Sequence, residues 1–568
     1  MTPARSLHVV FCWHMHQPDY RDAQGVYRFP WTYLHACKDY VDMLAHLEDN
    51  PLARAVFNFV PVLVEQLDDY SAQFQRQEFR DPLLLALATP NLKTLDVTLR
   101  HALLEQCFRL DPEHMLNPFP AYRRLYDLWQ FIRQDAAEMG DYLSVQYLAD
   151  LVVWYHLAWT GETLRRRSSL IQRLMAKGSG FDFADRSALL QCLGETITGL
   201  LPRYRTLAQA GQIEISSTPY QHPIAPLLLD FHAARDGLPA APLPDCAQYP
   251  GGAERVKAQL QDALTSHAEH FGGAPQGIWP AEGGISADFV ALLGAEGLQW
   301  TASGEGVLGR SLAHSYPDSS AAQGRADYLY RAYRLQGQGP HLFFRDDALS
   351  DRIGFDYKTW SGHDAATDFV QRLEGIWRAT EGQQAPIVSV ILDGENAWEY
   401  YPYNGFYFLG ELYRALSNHP HLQLCTFADY VREHGDAAQA LPVLASGSWV
   451  YGNFSTWIGD PAKNRAWDLL CHAKTAVDQE IASFDAQHQE QIRQQLARCE
   501  GSDWFWWFGD YNPGEAVRDF DHLYRDHLRQ LYALLQRPAP AELDHPISAG
   551  GGSAESGGTM RRGQAEGS

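Results

Sequence analysis

Two segments of this chain carry carboxylates in a setting suited to cutting a bond between sugars. In Gly277-Ile278-Trp279-Pro280-Ala281-Glu282-Gly283-Gly284 a carboxylate follows an indole by three residues, closes an apolar run and precedes a glycine pair. Glycosidic cleavage uses one carboxylate at the anomeric carbon and a second carboxyl group on the other side of the bond. A flat indole suits the apolar face of a pyranose ring. The best second carboxylate lies downstream in Ile391-Leu392-Asp393-Gly394-Glu395-Asn396-Ala397-Trp398-Glu399, where Asp393, Glu395 and Glu399 follow an apolar strand-like run. Part of that loop is like a calcium loop, but the full twelve-residue ligand pattern is missing.

Other polar clusters follow short apolar runs. His14 and His16, at i and i+2 in His14-Met15-His16-Gln17-Pro18, share a face of an extended segment. They could bind a metal or hydrogen-bond sugar hydroxyls, and one of the pair could be purely structural. Gly211-Gln212-Ile213-Glu214-Ile215 ends a helix and starts a strand, with Glu214 opposite its isoleucine neighbours. Its continuation, Ser216 to Pro223, brings hydroxyls and the imidazole of His222 to a strand end. Arg345, Asp346, Asp347 and Asp351 form a further charged group. Asp346 or Asp351 competes with Asp393 as the acid, while Arg345 could keep a nearby carboxylate ionised.

The elements that must hold these groups alternate. Short strands are expected at Leu7–Trp13, Ala55–Pro61, Gln212–Ser216, Gln276–Trp279, Gln299–Ala302, His341–Arg345 and Ile387–Leu392, with helices at Ala36–Asn50, Tyr142–Leu157, Ser187–Ala210 and Ala253–Phe271 between them. Strands alternating with helices mean parallel β-α units. Seven strands with polar residues just past their ends fit a barrel better than an open sheet. Beyond the barrel, residues 1–404, helical periodicity dominates 405–537, in Gly405–Ser417, Asn464–Ser483, His488–Ala497 and Pro513–Gln536. Residues 538–568, rich in Gly and Ser after Pro538 and Pro540, read as a disordered tail.

Bulk properties narrow the function classes. The 568 residues are long for one ordinary domain, and the apolar fraction of 45% allows a large core. An aromatic share of 12%, with 16 Trp and 28 Tyr, suits clefts for carbohydrate as well as the core. A net charge of −23 argues against a nucleic-acid partner. There is no apolar run of about 18 residues to span a membrane, and the N-terminal stretch lacks a signal-peptide core, so the cytoplasm is the expected location. The eight cysteines are scattered without a Cys-x-x-Cys pair, as expected of buried free thiols.

Taken in order, His16-Gln17-Pro18, Gly211–Ile215, Trp279-x-x-Glu282 and Asp393-Gly394-Glu395 resemble the signature regions of glycoside hydrolase family 57. The resemblance spans roughly residues 7–535. It implies a (β/α)7 barrel followed by a helical domain, and a retaining enzyme of the α-amylase, amylopullulanase, 4-α-glucanotransferase, branching-enzyme or α-galactosidase type. It implies Glu282 as nucleophile and Asp393 as general acid/base, with Trp279, Glu395 and Trp398 lining sugar subsites and His16 beside the sugar at the scissile bond. Residues Phe343–Phe355 are similar to a segment of amylase-like and amylopullulanase-like members. So are Trp457–Asp460 with Asn464–Trp467, and Ser502–Trp507.

The substrate-contacting set is therefore His14, His16, Glu214, His222, Trp279, Arg345, Asp346, Glu395, Trp398 and Trp457, with an oligo- or polysaccharide as partner and no cofactor or metal. Hydrolysis of α-glucans and transfer of a glucan to a sugar hydroxyl use the same two carboxylates. Two rival classes are a metal-dependent barrel enzyme using His14, His16 and aspartates, such as a deacetylase or mannosidase, and a non-catalytic carbohydrate-binding protein.

Overall fold

The computed structural model describes residues 5–133, 143–317 and 324–552. Ten strands are present among them: β1 Leu7–Met15, β2 Ala55–Phe59, β3 Ile213–Ser216, β4 Gly277–Ile278, β5 Trp300–Ser303, β6 Tyr333–Leu335, β7 Gln338–Phe344, β8 Ile387–Asp393, β9 Leu422–Leu424 and β10 Gln439–Leu441. All nine residues of β1 are buried, and six of the seven in β8. That is why both read as near-continuous apolar runs rather than alternating ones: their two faces are covered.

The seven expected strands are β1, β2, β3, β4, β5, β7 and β8. One parallel ladder runs β3-β2-β1-β8, and a second holds β7-β5-β4. Parallel bridges join them at Ser217–Ile278 and at Arg345–Ser389. The result is a barrel-like α/β body in which each of the seven strands has a parallel neighbour on either side. The three strands not anticipated are short. β9 pairs with the start of β1, while β10 extends the second sheet through β6, which is antiparallel to β7. Three-residue strands leave little periodic signal.

Helices fill the connections. The longest, Phe183–Gln209, starts on a capping box between Asp182 and Asp185, and the left-handed Gly211 turns the chain into β3. The described residues of 61–209, between β2 and β3, form a helical insertion that includes the almost wholly buried Val145–Ala158. Helices Pro461–Glu480, Ala486–Cys499, Ser502–Trp507 and Gly514–Leu534 make the C-terminal helical part. The segment after residue 405 first rejoins the sheets: helix Phe406–Ser417 leads into β9, and β10 follows.

Residues 538–552, the first part of the tail expected to be disordered, make contacts with the helical part. Leu543 is buried, the Ile547 and Ser548 backbone N–H groups donate to Asp521, and the Ser548 hydroxyl donates to the Gly509 carbonyl. A few apolar and hydroxyl contacts are enough to dock a polar-looking segment. Residues 553–568 lie outside the described residues. All eight cysteines are free thiols, six of them buried. No helix among the described residues is long and apolar enough to cross a membrane.

Candidate active site

The C-terminal ends of β1, β2, β3 and β8 meet at one level. Register pairs His14 with Asp393 on one side and with Asn58 on the other, and Asn58 with Ser216. Residues 379 positions apart therefore become neighbours. Above this row lies a cavity of about 650 Å³. Its wall includes Glu282, Asp393, Glu395, His14, His16 and Arg345 from the barrel strand ends, with Asp503, Trp506 and Trp507 from the C-terminal helices. Trp31 and Trp159, packed 5.5 Å apart, face it from the first connection and the insertion.

Three π-helical turns border the cavity, Ala36–Tyr40, Pro112–Leu116 and Arg352–Asp356, and His35, Pro112 and Phe355 at these turns line it. Such widened turns are rare and concentrate at functional sites.

Glu282 sits in the turn after β4 with φ 55°, a left-handed conformation that a residue with a Cβ seldom adopts. Strain of this kind persists where the surroundings hold it. Gly283, also at positive φ, leaves room for the Trp279 ring, which a Cβ there would meet at 2.8 Å. Ser286 then caps helix Ala287–Ala295 by accepting from the Phe289 N–H. The Glu282 Oε2 accepts from the Trp449 indole N–H at 2.9 Å. Burial, and then the charge of Asp393, push its carboxyl up to about 8, against the Trp449 hydrogen bond.

Asp393 is the last residue of β8, and the Asn396 amide donates to its Oδ2 at 3.0 Å. Burial raises it to about 6, opposed by Asn396, His16 and Arg345. At Gly394 a Cβ would meet the Met15 sulfur at 2.2 Å, so the glycine lets β1 and β8 close up. Glu395 accepts from the Gln17 amide at 3.0 Å and is pushed well up by burial and then by Asp393.

The imidazoles form a chain. Asn58 donates through its amide nitrogen to Ser216, so its oxygen accepts from His14 Nδ1 at 2.7 Å. His14 Nε2 then accepts from His222 Nε2 at 3.1 Å, and His222 Nδ1 accepts from the Ser502 hydroxyl at 2.9 Å. These tautomers follow from the hydrogen-bond network. Burial and the neighbouring rings hold His14 down to about 3 and His222 well below its usual value, so both are neutral. His16 donates to Asp503 at 2.9 Å and stacks on His222 with centroids 3.8 Å apart.

Among the described residues, His16, His222 and Asp503 bring one donor atom each within 4.8 Å of the others and could hold a metal. The stacking works against it. An imidazole binds an ion in its own plane, and these two planes lie 24° apart, face to face.

Several expected contacts lie elsewhere. Glu214 is at the N-terminal end of the strands, accepting from the Trp300 indole at 2.6 Å and the Ala428 N–H at 2.9 Å. It is buried there, away from the cavity, where polar residues serve stability. Trp279, Trp398 and Trp457 are 0%, 1% and 0% exposed and do not line the cavity. Trp398 donates to the Gly394 carbonyl, so its ring props the Asp393 loop from beneath. Asp346 caps helix Asp347–Asp351 and binds Arg325 at 2.8 Å, outside the cavity. His222 lies behind His14 and His16 and bonds to the first. The residues that sequence reasoning missed are Trp449, Trp31 and Trp159. Their signal was present only as a high tryptophan count.

Strand-end carboxylates in an aromatic-walled cavity of a barrel-like α/β body define a carbohydrate-processing enzyme. Residues 10–442 match the family model for glycosyl hydrolase family 57, and the chain belongs to that family. Solved structures agree in fold. A family 57 branching enzyme of Thermococcus kodakaraensis is 16% identical, with 93% of this chain and 90% of that chain covered and a TM-score of 0.58. A branching enzyme of Pyrococcus horikoshii is 15% identical, with 95% and 96% covered and a TM-score of 0.58. An α-amylase of Thermotoga maritima is 14% identical, with 94% and 93% covered and a TM-score of 0.55. No curated protein sequence matches the chain.

Proposed function

We propose that this enzyme is a retaining glycoside hydrolase acting on α-glucans, with Glu282 as nucleophile and Asp393 as general acid/base on a closed (β/α)7 barrel. One observation carries the reading. Glu282 and Asp393 line the same cavity, burial raises the proton affinity of both, the charge of Asp393 raises Glu282 further, and neither is ion-paired among the described residues. Asp346 and Asp351 are held by arginines, which supports Asp393 as the acid.

Burial raises both carboxyls and the charge of Asp393 raises Glu282 further, so a proton shared by the pair favours Glu282 before substrate binds. Substrate must move it to Asp393. Positive charge developing at the anomeric carbon favours ionised Glu282, and the glycosidic oxygen takes a hydrogen bond from protonated Asp393. Asp393 then protonates the leaving oxygen while Glu282 bonds the anomeric carbon. In the second half Asp393 deprotonates water, which releases the sugar with its configuration retained. His16, fixed by Asp503, and Glu395, fixed by Gln17, hold sugar hydroxyls.

Transfer to a sugar hydroxyl is the second reading. It is favoured by two separate aromatic groups at the cavity, Trp31 with Trp159 and Trp507 with Phe520, which offer more ring surface than one sugar needs. Incubation with maltooligosaccharides and an α-1,6-branched glucan tests both. Retained anomeric configuration in shorter products is expected; products longer than the substrate would show transfer, and inverted products would sink the mechanism. Glu282→Gln is expected to bind sugar without turning it over.

A further inference from the structure

Among the described residues, the Trp449 indole is the side chain that hydrogen-bonds the Glu282 carboxyl, and it comes from far away in the chain. Trp449 lies 167 residues after Glu282, in the irregular stretch between β10 and helix Pro461–Glu480. That stretch is clamped to the Glu282 turn. Ile285 and Gly447 exchange backbone hydrogen bonds of 2.8 and 3.1 Å, and the Trp449 N–H donates to the Glu282 carbonyl at 3.1 Å. Gly304 permits the approach, since a Cβ there would lie 2.7 Å from the Trp449 Cα.

The indole itself is fixed from two directions. Its edge meets the Trp279 ring, with centroids 5.4 Å apart and planes at 71°. The Arg345 guanidinium stands 5.3 Å from its ring centre. Arg345 is in turn locked, donating to the Ile391 carbonyl of β8, to Asp347 and to Asp351, each at 2.8 Å. A cation over an indole draws electron density from it and makes its N–H a stronger donor. This links the nucleophile turn to the strand that ends in Asp393.

We propose that Trp449 is a positioning residue: it holds Oε2 of Glu282 so that Oε1 is the oxygen presented to the anomeric carbon, and it favours the ionised carboxylate. When Oε1 bonds the anomeric carbon, the bond to the leaving oxygen breaks and that oxygen takes the Asp393 proton. Through this the Oε2 hydrogen bond keeps the carboxylate from turning. The inference rests on Glu282 being the nucleophile.

Trp449→Phe keeps a ring under Arg345 and removes the N–H. Loss of a hydrogen bond to a charged group is expected to lower kcat by about 10- to 100-fold, with KM little changed. The alkaline limb of the kcat/KM profile, which follows Glu282, should move to higher pH, because the ionised form of Glu282 loses its donor. A raised KM with unchanged kcat and an unmoved limb would make Trp449 a sugar platform and overturn the proposal. A second measurement needs no Trp449 variant. Tryptophan difference absorbance of the wild-type protein should titrate with Glu282, and the signal should vanish in Glu282→Gln; the same titration in both would overturn the proposal. Turnover surviving in Glu282→Gln would defeat the nucleophile assignment itself. An inactive Glu282→Gln beside a Trp449→Phe limb that stays in place would defeat this inference alone.

Discussion

The carboxylates after β4 and β8 and those after β7 are alike in type and in their place at strand ends, yet their surroundings differ. After β7, Asp346 binds Arg325 at 2.8 Å and the Tyr330 hydroxyl at 3.0 Å, while Arg325 also holds Glu305. Asp347 and Asp351 both bind Arg345 at 2.8 Å. After β4 and β8, Glu282 and Asp393 have neutral donors, Trp449 and Asn396. A buried carboxylate that faces a fixed cation has its proton chemistry spent on structure. Proton affinity alone does not separate the two groups, since burial pushes Asp347 up to about 7 even against Arg345; Glu282 and Asp393 differ in lining the cavity with neutral donors only, where a proton can be exchanged near neutral pH. A carboxylate after a barrel strand is thus not enough to mark a catalytic group; the partner decides.

The comparison breaks first at Glu282→Gln. Removing the proposed nucleophile should cost about 10⁴-fold or more in kcat, measured on maltooligosaccharides, with sugar binding retained in calorimetry. Asp393→Asn should cost about 10²- to 10⁴-fold, and less on an aryl glycoside whose leaving group needs no proton. Equal losses on both substrates would remove the acid role from Asp393.

The pH dependence sharpens the contrast. On the proposed mechanism catalysis needs one proton on the pair, so kcat/KM should be bell-shaped between about 6 and about 8, falling below as both carboxyls are protonated and above as both ionise. Asp346→Asn should leave that bell in place and change kcat by less than about threefold. It should destabilise the fold by about 1–3 kcal/mol, since it leaves the partners of a buried charge unsatisfied. A collapse of kcat with an intact fold would return Asp346 to the list of acids.

The smallest effect is on stability. Glu282 holds its proton more tightly in the folded protein, up to about 8, than at the ordinary 4.5 of an unfolded chain. Its contribution is full below about 4.5 and is lost as pH rises through about 8. Glu282→Gln should therefore show a higher Tm than wild type at pH 9, with the gap closing toward pH 4.5. A gap independent of pH would mean that the carboxyl is not strained by burial.

Much of this was legible in the chain. β1 and β8 were readable because burial on both faces demands long apolar runs, and the helix ending at Gly211 because a left-handed residue there is best met by glycine. His14, His16, Glu282, Asp393 and Glu395 stood out as polar residues just past apolar runs, and the cavity collects all five. The tryptophans are placed differently. Trp279 and Trp398 stand beside the carboxylates in sequence but under them in space, because the strand-to-loop turns that lift a carboxyl into the cavity press its neighbours into the core. Trp449, Trp31 and Trp159 reach the cavity from other elements, and nothing local distinguishes them from core rings.

The sequence by itself therefore determined the alternating strands and helices and the strand-end carboxylates, since apolar periodicity and local polarity are properties of a few adjacent residues. Only the tertiary structure decided which carboxylates face a cation and which face an indole or an amide. Those partners lie from a few to well over a hundred residues away, and their distance is set by the parallel register and by the packing of the later chain on the barrel.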